Sequence, residues 1–240
     1  MRQVMVLVLV SVAVIFAAPS YDGTPLRFAE IEIVKAPGQP RHPYQDEYER
    51  MLYPTVRISS PSGTGSGVVI ATTDSHRYTQ IITAAHVVEN QSIVDIELYD
   101  SACITGTVVI TDTDKDLALI RVIRVKDIYS ARLAPKDYTP YIFTPVYTVG
   151  CSLGLTPRPS QGIISVIGKD NWEVTSPILP GNSGGPVFDA QTYEVIGIAV
   201  WVKVYDGQLV TTMAGIVPIQ EVYRFLDNYE KTSKSGDANR

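Results

Sequence analysis

Along most of the chain, apolar residues either alternate with polar ones or form short continuous runs that turn residues separate. Val56-Arg57-Ile58 alternates, residues 67–71 form a continuous apolar run, and a further mixed run extends from Ile93 to Tyr99. Alternation is typical of a strand with one buried face, and short apolar runs between turns are typical of fully buried strands. The regular spacing of these runs predicts an all-β barrel or sandwich.

The strand-like runs fall into two groups. The first lies between about residues 55 and 123 and the second between about 145 and 213, with a proline-containing, linker-like stretch at 132–140. After Pro218 the apolar period changes to spacings of three and four, which predicts a helix with one buried face. The residues on this face are Ile219, Val222, Phe225, Leu226 and Tyr229.

The N-terminal residues predict a targeting segment. Residues 4–18 are apolar except for Ser11; the run is shorter than the roughly 20 apolar residues of a membrane span and fits a signal-peptide core. We assign residues 1–20 to a signal peptide or an N-terminal membrane anchor. We therefore expect an exported protein, periplasmic or extracellular, or one tethered to a membrane through residues 4–18.

Both flanks of the strand-rich region are polar. Residues 21–50 are rich in proline and charge, which predicts an extended arm that buries little surface. Residues 229–240 are predicted to form a polar tail.

Composition and charge narrow the function classes. The chain has 240 residues, of which 45% are hydrophobic and 19% charged, as in a globular protein with a sizeable core. A net charge of −5 provides no basic surface, so we expect no nucleic-acid partner. Two cysteines, Cys103 and Cys151, are no disulfide framework, and we predict free thiols.

One stretch carries candidate chemistry, the heptapeptide Pro180-Gly181-Asn182-Ser183-Gly184-Gly185-Pro186. A serine that attacks a carbonyl needs a base, a fixed turn and hydrogen-bond donors for the oxyanion. Glycines beside Ser183 would let the N–H groups of Gly181 and Ser183 point at one position. The alternative is an ordinary β-turn, because Gly, Asn, Ser and Pro are common turn residues.

A candidate base is available among the three histidines. His42 lies in the proline-rich arm and His76 in a turn, so we expect no packed core to hold either side chain in a fixed position. His86 follows two alanines after the apolar run at Ile81-Ile82, which lets its imidazole lie in a cleft.

A candidate orienting carboxylate is less distinct, because Asp112, Asp114 and Asp116 alternate. This pattern raises the alternative of a calcium loop. That alternative fails, since Leu117 and Ile123 stand where an EF-hand requires glycine and glutamate. We expect Asp112 and Asp114 to cap a solvated turn.

Four stretches of the sequence, in this order, resemble the protease domain of the HtrA/Deg family of trypsin-fold serine proteases. They are Gly65-Ser66-Gly67-Val68-Val69-Ile70, Thr83-Ala84-Ala85-His86-Val87-Val88, Asp116-Leu117-Ala118-Leu119-Ile120 and Gly181-Asn182-Ser183-Gly184-Gly185-Pro186. The resemblance extends from about Tyr53 to Leu226 and covers most of the chain.

The resemblance implies an all-β fold of two six-stranded antiparallel β-barrels with a C-terminal helix. The protease domain would occupy residues 51–228, with barrels at about 51–130 and 140–217. After Leu226 we expect no PDZ domain of the kind that many family members carry.

The resemblance also implies a catalytic role for each candidate. Ser183 would be the nucleophile, His86 the general base and Asp116 the carboxylate that orients the imidazole. The N–H groups of Gly181 and Ser183 would form the oxyanion hole. In family members this loop also adopts an inactive form, and the sequence leaves its state open here. No cofactor and no metal are expected.

The resemblance also implies which residues surround the P1 pocket and so determine substrate specificity. They are Ser176, Pro177 and Ile178 before the nucleophile, and Val200, Trp201 and Val202 after Gly197. None is a carboxylate that could pair with Lys or Arg, and Val202 stands where open-pocket relatives have glycine. We expect small or medium apolar P1 residues such as Val, Ala or Leu.

The main hypothesis is a serine endopeptidase acting on protein or peptide substrates. Two alternatives are a protease-fold binding or chaperone module with latent catalysis, and acyl transfer to water from an ester by the same residues. In the family, an N-terminal segment often mediates trimer contacts, so Tyr44, Tyr48 and Tyr53 could serve in a homotrimer; the alternative is that they only cover a barrel edge.

Overall fold

The first group of strand-like runs forms a closed antiparallel barrel. The computed structural model describes residues 44–61, 63–70, 78–123 and 128–237, with side chains through 232. The strands of this barrel are β1 (Thr55–Ser60), β2 (Gly63–Ile70), β3 (Tyr78–Thr83), β4 (Ile93–Glu97), β5 (Cys103–Asp112) and β6 (Leu117–Ile123). They are ordered β1-β2-β3-β6-β5-β4, and pairing of β1 with β4 closes the barrel.

The second group forms another closed antiparallel barrel. Its strands are β7 (Pro145–Gly150), β8 (Arg158–Ile167), β9 (Trp172–Val174), β10 (Pro186–Asp189), β11 (Val195–Tyr205) and β12 (Gln208–Pro218). They are ordered β10-β11-β12-β9-β8-β7. Two six-stranded barrels confirm the predicted all-β fold class.

Each barrel is filled by branched aliphatic side chains. Ile58, Ile81 and Ile96 in the first barrel and Ile164 and Ile216 in the second are completely buried. Burying one such side chain stabilises the fold by about 1.5–3 kcal/mol relative to its exposure. The apolar runs of the sequence therefore become barrel interiors.

Helical segments lie before, between and after the strands. They are the short α-helix α1 (Gln45–Glu47), a π-helical turn (Tyr48–Leu52), two 3₁₀ turns (Ala85–Val88 and Ser152–Gly154) and the α-helix α2 (Ile219–Asp237). The predicted apolar face of α2 is confirmed, with Ile219, Val222 and Phe225 buried. The helix extends to Asp237 and thus includes most of the polar segment at 229–240.

The connection between the barrels is hydrogen-bonded to both of them. The Ala131 N–H donates to the Val69 carbonyl of the first barrel at 2.8 Å. The Val195 N–H of the second barrel donates to the Arg132 carbonyl at 2.8 Å, and the Ala134 N–H donates to the Val195 carbonyl at 2.9 Å. The linker is thereby attached to both barrels.

The tyrosines near the start of the described region have different settings. The Tyr53 ring packs against Tyr99 and Tyr129, with ring centroids 4.6 and 4.7 Å apart. Tyr48 is half-buried beside Tyr53, whereas Tyr44 is exposed. Tyr53 therefore covers its own barrel, and Tyr44 is the member of the three that the fold leaves at the surface.

Cys103 and Cys151 are both free thiols, as predicted. The predicted targeting segment at residues 4–18, the arm up to residue 43 with His42, and His76 lie outside the described residues. Among the described helices, none combines the length and apolar character that crossing a membrane requires.

Candidate active site

The 3₁₀ turn after β3 holds His86 at the surface of the first barrel. Its neighbours Ala85, Val87 and Val88 are buried and anchor the turn. The imidazole is left 46% exposed, so the side chain faces solvent while its backbone is fixed. This arrangement suits a side chain that must contact a substrate.

Asp116 lies in the turn between β5 and β6 and makes two hydrogen bonds to His86. Its Oδ2 atom is 2.7 Å from His86 Nδ1, and its Oδ1 atom accepts the His86 backbone N–H at 3.0 Å. Asp116 has a positive φ of 54°, a conformation that Asp tolerates better than most residues. The carboxylate thus holds both the ring and the backbone of His86.

Neighbouring residues hold the turn that presents Asp116. The Lys115 N–H donates to Asp112 Oδ1 at 3.0 Å, so Asp112 caps this turn as expected. The Lys115 ammonium group lies 3.3 Å from Asp170 in the second barrel and 3.3 Å from Glu221 in α2. These ion pairs connect the turn to the other half of the molecule.

The shifted pKa values of His86 and Asp116 indicate where the protons of this pair lie. The hydrogen bond with Asp116 raises the pKa of His86 above its ordinary value, against the opposing effect of burial. Burial tends to raise the pKa of Asp116, but the hydrogen bonds from the His86 ring and backbone outweigh it and lower that pKa. An ionised Asp116 can only accept, so Nδ1 of His86 carries the proton and Nε2 is left as an acceptor.

Ser183 lies in the loop between β9 and β10, which hydrogen bonds fix against both barrels. The Ser66 N–H of β2 donates to the Ser183 carbonyl at 2.8 Å, and the Gly184 N–H donates to the Ala199 carbonyl of β11 at 2.7 Å. Ser183 is partly exposed. Within the described part of the chain, its hydroxyl makes no hydrogen bond, including none to His86.

Gly184 brings the serine loop directly against the segment that leads to His86. A Cβ atom at this position would lie 2.1 Å from Thr83 Oγ1 and 2.8 Å from the Ala84 nitrogen. The Ser183 loop of the second barrel therefore contacts the first barrel at Thr83 and Ala84, two to three residues before His86. Among the described residues, Ser183 makes no hydrogen bond to His86 or Asp116.

We predict that Gly184→Ala destabilises the fold strongly. The new methyl group would lie 2.3 Å from the Ser66 carbonyl oxygen, and φ at this residue is +81°. Overpacking and left-handed strain together should lower the free energy of unfolding by roughly 2–5 kcal/mol. The control is Gly207→Ala, where φ is +73° but nothing lies within 4 Å. Denaturant unfolding that gives equal losses for both variants would contradict the close approach.

The N–H groups of Gly181 and Ser183 are available as donors. The Pro180 carbonyl accepts the Leu153 N–H at 2.7 Å, and because the peptide bond between Pro180 and Gly181 is trans, the Gly181 N–H points the opposite way. Among the described residues, neither the Gly181 nor the Ser183 N–H has a hydrogen-bond acceptor. Two unused backbone donors beside a serine can stabilise an oxyanion.

The residues predicted around the P1 pocket lie near β12 of the second barrel. Ile178 and Val200 are buried, and the Ile178 N–H donates to the Thr211 carbonyl at 2.8 Å. Trp201 is 37% exposed, and its indole covers Gly215, where a Cβ would lie 1.9 Å from the ring.

The remaining P1 candidates differ in burial. Val202 is half-buried and pairs with Ala214 of β12. Ser176 is fully buried, with its hydroxyl 2.6 Å from that of Thr148, and Pro177 is exposed. Ser176 therefore points into the barrel, and its hydroxyl is already engaged.

The buried thiol of Cys151 is not placed as a nucleophile. Cys151 is completely buried, and burial raises the pKa of its thiol to about 12. Among the described residues, no cluster of three or more His, Cys, Asp or Glu side chains is arranged to hold a metal ion.

Sequence reasoning missed two residues that contact this site. Ser66 hydrogen-bonds to the serine loop, and Leu153 holds the Pro180 carbonyl from a positive φ of 56°. The sequence could have indicated Ser66, because it is a polar residue between glycines on a strand predicted to be buried. Nothing in the sequence indicated Leu153, since leucine rarely adopts a left-handed conformation.

Two facing antiparallel barrels with a histidine–carboxylate pair and a serine loop at their junction define the class of trypsin-fold proteins. Residues 65–198 match the trypsin-like peptidase domain family. The chain belongs to this family.

Curated relatives agree with this assignment. The chain is 32% identical to the HhoB protein of Synechocystis over 183 residues, which cover 69% of this chain and 40% of that protein. It is 31% identical to the periplasmic serine endoprotease DegP of Salmonella typhimurium over 154 residues, which cover 60% of this chain and 31% of DegP. The matches thus span less than half the length of these relatives.

Solved structures share the fold. An HtrA-type protease AlgW with a tripeptide has a TM-score of 0.67 at 20% identity, with 77% of this chain and 62% of that chain covered. A serine endoprotease from Yersinia pestis has a TM-score of 0.66 at 20% identity, with 80% and 68% covered. At this identity, the likeness concerns the fold.

Proposed function

We propose that the chain is a serine endopeptidase that hydrolyses peptide bonds of protein substrates with Ser183, His86 and Asp116. The observation that supports this most directly is the hydrogen-bonded His86–Asp116 pair beside a serine loop with two unused backbone donors. Family membership supplies the reaction type.

The chemistry follows from the proton positions. Nε2 of His86 takes the proton of the Ser183 hydroxyl as that oxygen attacks the scissile carbonyl carbon. Asp116 stabilises the imidazolium that forms, and the imidazolium then protonates the leaving amine. Water attacks the resulting acyl-enzyme with His86 again as the base, which releases the acid and restores the serine.

The oxyanion of each tetrahedral intermediate would accept hydrogen bonds from the N–H groups of Gly181 and Ser183. Removing one such donor typically costs about 10²- to 10³-fold in kcat. Because the Pro180 carbonyl is bonded to Leu153, the Gly181 N–H points away from Leu153, which supports its proposed role as a donor. This geometry supports a resting state that is competent for catalysis.

The free hydroxyl of Ser183 fits the same proposal. Catalytic hydrogen bonds are often long in unliganded enzymes and tighten when substrate binds.

The proposed substrates carry small or medium apolar P1 residues, with Ile178, Val200, Trp201 and Val202 lining the pocket. The buried aliphatic side chains and the indole over Gly215 favour an apolar group.

Relatives named as periplasmic endoproteases support export of this chain. A homotrimer that uses the exposed Tyr44 belongs to the same proposal.

Digestion of unfolded casein, with mass spectrometry of the cut sites, tests the activity and its specificity together. We expect cleavage, with most cuts after Val, Ala or Leu, because the pocket residues supply no carboxylate. Cuts mainly after Lys or Arg would overturn the pocket assignment, and intact casein would count against the endopeptidase.

A further inference from the structure

Ser66 of β2 is completely buried, and all of its polar groups are hydrogen-bonded to segments around the candidate active site. Its backbone N–H donates to the Ser183 carbonyl at 2.8 Å, and its carbonyl accepts the Thr83 hydroxyl at 2.6 Å. Its hydroxyl donates to the Gly181 carbonyl at 2.6 Å and accepts the Cys151 N–H at 2.8 Å. One side chain of the first barrel thus bridges two loops of the second.

These contacts bear on Gly181 because this residue carries one of the two free donors. Gly181 has a φ of +96°, and a glycine here imposes little conformational preference of its own. The orientation of its two peptide groups must therefore come from neighbours. Leu153 holds the preceding peptide through the Pro180 carbonyl, and Ser66 holds the following peptide through the Gly181 carbonyl.

The Cys151 contact connects the two holding interactions. Cys151 immediately precedes the 3₁₀ turn Ser152–Gly154, whose Leu153 N–H binds the Pro180 carbonyl. By accepting the Cys151 N–H, the Ser66 hydroxyl also fixes the start of this turn. Loss of the hydroxyl would loosen both peptides beside Gly181 and leave the buried Cys151 N–H and the partly buried Gly181 carbonyl without this partner.

We propose that Ser66 is a positioning residue for the oxyanion hole, which acts by holding the Gly181 peptides so that the Gly181 N–H faces the reacting carbonyl. Ser66 does not touch the substrate and takes no part in proton transfer. This inference rests on the proposed endopeptidase function. It predicts that Ser66 affects the transition state more than substrate binding.

The test compares Ser66→Ala with Thr55→Val, a matched loss of a buried hydroxyl. The Thr55 hydroxyl donates to the Met51 carbonyl at 2.7 Å in the same barrel, away from the serine loop. For Ser66→Ala we expect kcat to fall about 10- to 100-fold, less than for complete loss of an oxyanion donor. KM should change less than about twofold, and Thr55→Val should keep the wild-type kcat.

Two further measurements separate positioning from general damage. A peptide boronic acid, which forms a tetrahedral adduct on serine, should bind Ser66→Ala more weakly by about the same factor as kcat falls. The NMR-measured pKa of His86 should be unchanged, because the hydrogen-bond partners of Ser66 among the described residues do not include His86 or Asp116. If Ser66→Ala does not fold, Ser66→Cys offers a weaker donor of similar size and should give a smaller loss in the same direction.

The outcomes distinguish the inference from the function on which it rests. An active wild-type protein whose Ser66→Ala variant behaves like Thr55→Val, or loses activity through KM alone, would overturn the role of Ser66. A shifted pKa of His86 would assign the effect to the imidazole instead. A wild-type protein that binds no boronic acid and cuts no peptide would overturn both, because no oxyanion would then form.

Discussion

Replacing Ser183 with alanine is expected to abolish peptide hydrolysis, with kcat falling by roughly 10⁵- to 10⁶-fold, as when the nucleophile of a serine protease is removed. The hydroxyl is the only group lost, since the backbone of this loop is held through the Ser183 carbonyl, Gly184 and Gly185. The variant should therefore fold and unfold like the wild-type protein. Casein cleavage and covalent labelling by a fluorophosphonate probe would both measure the effect.

The matched control is Ser92→Ala, which removes an exposed hydroxyl from the first barrel. This variant should retain full labelling and cleavage, whereas Ser183→Ala should show neither. Undiminished labelling of Ser183→Ala would place the reactive serine elsewhere. A wild-type chain that folds but is not labelled would instead favour a binding module on a protease fold.

The strand content and the candidate residues could be predicted because both depend on local sequence. Runs such as Val68-Val69-Ile70 are short, apolar and bounded by turns, and each became a barrel strand. His86, Asp116 and Ser183 lie in stretches that resemble a known family, so their identity required no knowledge of their contacts. The fold and the family assignment are thereby confirmed, while the catalytic roles stay predictions.

The contacts between distant segments could not be predicted. The hydroxyl of Ser66 meets the Gly181 carbonyl across 115 positions of sequence, and nothing in either stretch indicates the other. The orientation of the Gly181 peptide depends on this bond and on Leu153, so the state of the oxyanion loop stayed open at the level of sequence. These contacts form only when the barrels close, and closure depends on the pairing of all their strands.

The lengths of two elements also depended on tertiary packing. The sequence pattern predicted a strand at 210–213, whereas β12 extends from Gln208 to Pro218 because it pairs with both β11 and β9. The segment after Tyr229 read as a polar tail, yet α2 continues to Asp237. A helix already anchored by Val222 and Phe225 can continue into polar residues at little cost, because nucleation is the expensive step.

Replacing Asp116 with asparagine is expected to lower kcat by about 10⁴-fold, as the loss of a triad carboxylate does elsewhere. An asparagine amide can donate to Nδ1, so the ring would place its proton on Nε2 and lose the acceptor that Ser183 needs. Asn would also remove the charge that stabilises the imidazolium. Steady-state kinetics on a cleaved peptide would measure the loss, with Asp114→Asn, an exposed carboxylate of the same turn, as the control.

The pH profile gives this prediction a second and independent readout. Activity requires neutral His86, so in the wild-type protein it should appear as the pH rises through a pKa above the ordinary value of about 6.5, since Asp116 raises that pKa. Without the carboxylate the raising interaction is lost, and the acidic limb should move to lower pH. The ion pair between protonated His86 and ionised Asp116 also stabilises the folded state. This contribution to the free energy of unfolding is present at low pH, as long as Asp116 stays ionised, and is lost as the pH rises through the raised pKa of His86. An acidic limb that does not move in Asp116→Asn would mean that another group controls the titration of His86.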